Sequence, residues 1–104
     1  MDAVDDALAQ SRALLPPVVL TELLSAPRLR PTDAATFVAL PRVAVVDGYW
    51  ERAGQLRASV LRRGHKARLA DVLVAQVCID SQLPLITRDD DFRHFVAAGL
   101  RLAF

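Results

Sequence analysis

The chain has 104 residues, 53% hydrophobic and 24% charged, which bounds it to one domain (1–104) with a single core and excludes a disordered class. A balance of 13 Lys+Arg against 12 Asp+Glu leaves a net charge of +1, so there is no global pull on nucleic acid and any such site must be local. The single cysteine, Cys78, excludes an internal disulfide; the start, Met1-Asp2-Ala3-Val4-Asp5-Asp6, is acidic where a secretory signal would be basic, and no run approaches the roughly 20 apolar residues of a membrane span.

A soluble, cytoplasmic protein with no membrane partner is therefore expected. From Asp2 to about Arg12, Val4 and Leu8 oppose Asp5, Asp6 and Gln10, which predicts a short amphipathic helix. Leu14-Leu15 reads as the end of a brief strand. Pro17 suits a first helical turn, where its missing N–H is not needed, and the helix continues past Glu22 to about Ala26, where Pro27 stops it. Thr32 is placed to cap a helix with Asp33 in its first turn, running to about Leu40. Val43-Ala44-Val45-Val46, between Pro41 and Asp47-Gly48, has the pattern of a buried parallel strand.

From Tyr49 to about Arg63, the apolar positions Trp50, Ala53, Leu56, Val60 and Leu61 recur at helical spacing until Gly64 ends the helix. Leu69 to about Gln82 is apolar on nearly every side and predicts a buried helix. Leu83 to Thr87 reads as a strand, Phe92 to about Ala98 as a helix, and Leu100 to Phe104 as a terminal strand after Gly99. Strands alternating with helices imply an α/β fold, a mostly parallel sheet flanked by helices.

The acids stand out against this apolar background. Glu22 and Asp71 lie early in their expected helices, where carboxylates are favoured and can face one crevice. Asp89, with Asp90 and Asp91, lies just beyond the carboxyl end of an expected strand, where open α/β sheets place their sites. Converging carboxylates cost several kcal/mol unless a cation lies between them, and hard oxygen ligands point to Mg²⁺ or Mn²⁺.

Three stretches carry a resemblance to the PIN-domain nucleases, most closely the toxin ribonucleases of bacterial toxin–antitoxin pairs (the VapC type). Residues Pro16 to Leu24 resemble the family's helix with its second acid, here Glu22. Leu69 to Ala75 resembles the helix with the third, Asp71, and Leu83 to Phe92 the strand and turn with the fourth, Asp89, and Asp91 as an accessory. The resemblance implies metal-dependent endonuclease cleavage of RNA, with Glu22, Asp71 and Asp89 as catalytic metal ligands. It also implies homodimers and an antitoxin partner that inserts a basic side chain towards the acids. Family members begin with an apolar strand ending in Asp, and neither precedes Asp2, so the expectation is a PIN-like domain without its amino-terminal strand and with impaired activity. The competing expectation is a non-catalytic toxin remnant that dimerises or binds an antitoxin.

Arg57, Arg62, Arg63, Lys66 and Arg68 gather around Gly64-His65 and have two readings. In one, Arg63, Lys66 and Arg68, with Arg88 beside Asp89, hold RNA phosphates. In the other, the cluster is a solvated helix end with cations at its negative terminus, and Arg88 only pairs with a neighbouring acid. His65 and His94 lack metal-ligand spacing and read as surface residues. Tyr49 and Trp50 open a helix and are expected to pack rather than to stack on a base.

Overall fold

The computed structural model describes residues 15–103, which divide into two compact units, 15–44 and 45–103. The expected helix from Asp2 to Arg12 lies outside the described residues.

In the first unit, α1 (Pro17–Leu24) packs on α2 (Pro31–Ala39). Each starts with a proline, whose fixed φ and missing N–H suit the first helical position. Thr32 is therefore inside α2 and not its cap: Pro31 already occupies the first turn, and Arg30 stands at the N-cap with its Nε on Asp33 Oδ2 (2.9 Å). Helix α1 ends sooner than Pro27 requires, because the Ser25 hydroxyl bonds back to Thr21 O (2.6 Å), an alternative to continued helix. Leu15 forms an isolated parallel bridge with Arg42, donating to Pro41 O (3.0 Å) and accepting from Val43 N–H (2.9 Å).

The second unit contains α3 (Tyr49–Arg62), α4 (Leu69–Ser81) and a 3₁₀ helix (Asp90–Ala98), all in mutual contact. Gly48 precedes α3 at φ +81°, a left-handed conformation glycine adopts without steric penalty. The buried face of α3 is Tyr49, Ala53, Leu56 and Val60, while Trp50 and Leu61 are exposed, Trp50 to 65%. Ala53, Leu56 and Val60 are buried as expected, and Tyr49 takes the place expected for Trp50. The tyrosine settles it: its hydroxyl donates to Leu73 O of α4 at 2.6 Å, so the ring can be buried with its polar end satisfied.

Helix α4 buries Val72, Val74, Ala75, Gln76, Val77 and Cys78, matching its apolar circumference. Val60 and Val72, both fully enclosed, each contribute about 1.5–3 kcal/mol by leaving water. Phe92 and Phe95 anchor the 3₁₀ helix, their centroids 6.0 Å apart, and Gly99 at φ +112° ends it.

The expected strands are not strands among the described residues. Leu83–Thr87 and the segment from Leu100 meet in one parallel bridge, Leu85 with Leu102, through Leu85 N–H on Arg101 O (2.8 Å) and Ala103 N–H on Leu85 O (3.0 Å). Val45 and Val46 are about half exposed and bridge to nothing described. An apolar run reports a tendency to be buried, but a strand exists only where a neighbour supplies the ladder. No helix among the described residues is long and apolar enough to cross a membrane.

Candidate metal centre

Asp71 is the third residue of α4, in a first turn whose unsatisfied N–H groups favour a carboxylate. The helix is set in place by α3 through two long-range attachments. One is the Tyr49 hydroxyl on Leu73 O; the other is Arg52, whose Nε and Nη2 grip the two oxygens of Asp80 at 3.0 and 2.6 Å. The buried Gln76 adds a third donor to Asp80 at 2.8 Å. These bonds, with Arg52 foremost, hold the Asp80 carboxyl below its ordinary pKa although burial opposes them.

Asp89 and Asp91 are placed by a local device. The Asp89 N–H donates to Thr87 Oγ1 (3.1 Å), and Asp89 Oδ1 in turn accepts the Asp91 N–H (2.9 Å), capping the 3₁₀ helix. The bridge at Leu85 fixes the approach to this turn, and buried Phe92 fixes its exit. The stacked rings of His65, which is exposed, and His94, which is half-buried, lie 4.3 Å apart and 12° from parallel and tie the segment preceding α4 to the 3₁₀ helix.

The result is that Asp71, Asp89 and Asp91 each offer one carboxylate oxygen, and the three oxygens lie within 4.8 Å of one another. Asp71 and Asp91 are half-buried and Asp89 is exposed. Like charges at that spacing repel by about 1 kcal/mol per pair even at the dielectric of water. A cation with bonds of about 2.0–2.1 Å in an octahedron sets its ligand oxygens about 2.9–4.2 Å apart, a separation that the trio's span admits for Mg²⁺ or Mn²⁺. All three donors are hard carboxylate oxygens, the chemistry those ions select.

Asp90 turns away from this role and pairs with Arg93 at 2.8 Å in solvent. Glu22 lies exposed on α1 in the first unit. Because α1 ends at Leu24, Glu22 sits in the last turn and not early in the helix, at the end where a carboxylate is disfavoured by the backbone dipole. Arg63, Lys66 and Arg68 are exposed along the α3–α4 connection, and Arg88 is exposed beside Asp89. Arg57, of the same basic group, is committed to the fold through Nε on Ala67 O (2.9 Å). Burial pushes the Cys78 thiol up to about 11, leaving it protonated and inert.

Sequence reasoning missed Thr87 and Arg93. The Thr-x-Asp spacing of 87 and 89 is a legible turn signal; Arg93 has none, since its relation to Asp90 is an ordinary helical pair. No curated protein matches the chain. The PIN domain family model matches residues 1–97, a span that takes in Glu22, Asp71, Asp89 and Asp91. PIN domains are α/β, are in general nucleases, and as nucleases typically use divalent metals. With nearly its whole length matched, the chain belongs to the PIN domain family.

Proposed function

We propose that the chain is a metal-dependent endoribonuclease of the VapC toxin type, acting on RNA in the cytoplasm as a homodimer and restrained by a cognate antitoxin. The observation that carries this reading is the convergence of Asp71, Asp89 and Asp91 within 4.8 Å in a PIN domain. Under it, Asp71, Asp89 and Asp91 hold Mg²⁺ or Mn²⁺. When bound, the cation supplies a water of lowered pKa and charge stabilisation at the scissile phosphate.

The chain's own residues supply placement. Thr87 orients the Asp89 backbone, Asp89 fixes the amide of Asp91, and the α3–α4 attachments hold Asp71 towards both. Preorganised carboxylates lower the cost of bringing phosphate, water and cation together, and a misplacement of about 1 Å can cost a hundredfold in rate. Arg63, Lys66, Arg68 and Arg88 are the exposed cations assigned to the RNA backbone.

Calorimetric titration with Mn²⁺, on wild type and Asp71→Ala, tests the metal assignment directly. Saturable binding by wild type that Asp71→Ala loses is expected, together with RNA cleavage that stops in chelator and is absent from Asp71→Ala, the control for contaminating nuclease. Failure of the wild type to bind Mn²⁺ would overturn the reading and leave a non-catalytic domain whose acids are an unfilled cluster.

A further inference from the structure

Beside the acidic trio lies a shallow surface depression lined by Thr87, Arg88, Asp89, Asp90, Arg93 and Leu102. Asp89 belongs both to this lining and to the trio, so a group seated here adjoins whatever Asp71, Asp89 and Asp91 hold. We infer that the depression is the subsite for the RNA phosphate next to the scissile one, with Arg93 as its principal contact and Asp90 as the competitor from which the phosphate takes it. This inference rests on the ribonuclease reading above.

The donors fit a phosphate. Arg93 and Arg88 bring planar guanidinium groups that match phosphate oxygens in pairs. Thr87 Oγ1 accepts the Asp89 N–H, which leaves its own hydroxyl hydrogen to donate.

Charge decides when the site works. The lining carries two arginines and two aspartates. Arg93 meets the charge of Asp90 at 2.8 Å, and the four charges of the lining sum to zero; a divalent ion on Asp89 turns the local balance positive. Anion affinity here is therefore coupled to cation binding.

The Arg93–Asp90 pair is suited to exchange. Its side chains are 69% and 80% exposed, three residues apart on one helix, and ion pairs of that kind are weak in water. A phosphate offers the same guanidinium two oxygens beside a cation, so replacing Asp90 loses little and gains a charge-assisted contact.

Binding of a 5′-labelled single-stranded RNA is measured by fluorescence anisotropy, with Ca²⁺ replacing Mg²⁺ to slow turnover, across a series of salt concentrations. Arg93→Ala is expected to weaken binding roughly fivefold to tenfold. It should also lower the slope of log affinity against log salt by about 0.7, the value for one phosphate contact on a single strand. Arg93→Lys should keep the slope and lose part of the affinity, and Asp90→Asn, which frees the guanidinium, should tighten binding about twofold to threefold. In chelator the wild type and Arg93→Ala should bind alike. Unchanged affinity and slope in Arg93→Ala, or Asp90→Asn weakening binding as much as Arg93→Ala does, would overturn the inference. Mn²⁺ titration of the same proteins separates the two failures: Arg93→Ala must bind Mn²⁺ as wild type does, whereas loss of Mn²⁺ binding by the wild type itself sinks the ribonuclease reading and this subsite with it.

Discussion

Asp80 is the position where a single substitution should expose what holds α4, and Asp71 with it, in place. Its carboxylate accepts three hydrogen bonds, two from Arg52 and one from Gln76, and its side chain is 9% exposed. In Asp80→Ala, the Arg52 side chain, 38% exposed, can turn to water, so its lost bonds weigh less. Gln76 cannot, being 5% exposed, and a buried donor left without an acceptor costs about 1–3 kcal/mol. We therefore expect a loss of about 2 kcal/mol, roughly 10 °C in melting temperature for a domain of this size. Asp80→Asn retains one acceptor for Gln76 and should lose about half as much. The pH dependence has a definite sign. Because the folded pKa of Asp80 is lowered, its charge contributes stability above the ordinary carboxylate value of about 3.9, and that contribution disappears as pH falls through the lower folded value. Urea melts of wild type and Asp80→Ala between pH 7 and 3 should show their difference shrinking at the acid end. A variant within about 0.5 kcal/mol of wild type at pH 7, or a difference that grows on acidification, would refute the argument.

Substitutions at three further positions probe the same unit. Phe95→Ala removes a ring that is 1% exposed and should cost about 3–5 kcal/mol in urea melts, the largest single loss expected here. Gly48→Ala forces a side chain into φ +81° and brings its Cβ to 2.7 Å from Arg52 Nη1; thermal melts should show a loss of about 1–2 kcal/mol, and little change would mean that the turn before α3 relaxes freely. Asp89→Asn keeps an oxygen for the Asp91 amide while removing one charge from the trio, so in chelator it should melt at or above wild type, whereas Asp89→Ala loses the cap and about 1 kcal/mol.

How much of this was legible in the sequence depended on whether the governing interaction was local. Asp71 and Asp89 could be singled out because each stands at a helix or turn boundary that apolar neighbours mark on both sides, and the structure brings them together with Asp91. Spacing picked out Ala53, Leu56 and Val60 in α3 but could not choose at its ends, since Trp50 with Leu61 and Tyr49 with Val60 have the same spacing and differ by one step around the helix. The choice belongs to Leu73 O, a partner 24 residues away. Arg52 and Asp80, 28 residues apart, are invisible for the same reason. The strands failed differently: Val43 to Val46 has the composition of a buried strand, but composition does not include the neighbouring strand.

The two sets of carboxylates in the second unit also argue for their different roles. Where an acid serves the fold, as Asp80 does, the chain answers it with a guanidinium at 2.6 Å and a buried amide, and the carboxyl is drawn down in pKa by those partners. At the trio the polar bonds described do something else. Thr87 holds the amide of Asp89 and Asp89 holds the amide of Asp91, contacts that fix where the backbone goes. Three carboxylates drawn together repel, and separating them would lower the energy of the folded chain. Keeping them within 4.8 Å raises it, and a bound divalent cation reverses that sign by adding binding free energy to the folded state alone. The three carboxylates are thus expected to weaken the fold in chelator and to stabilise it in Mn²⁺, and a melting temperature that does not rise with Mn²⁺ would count against an ion site.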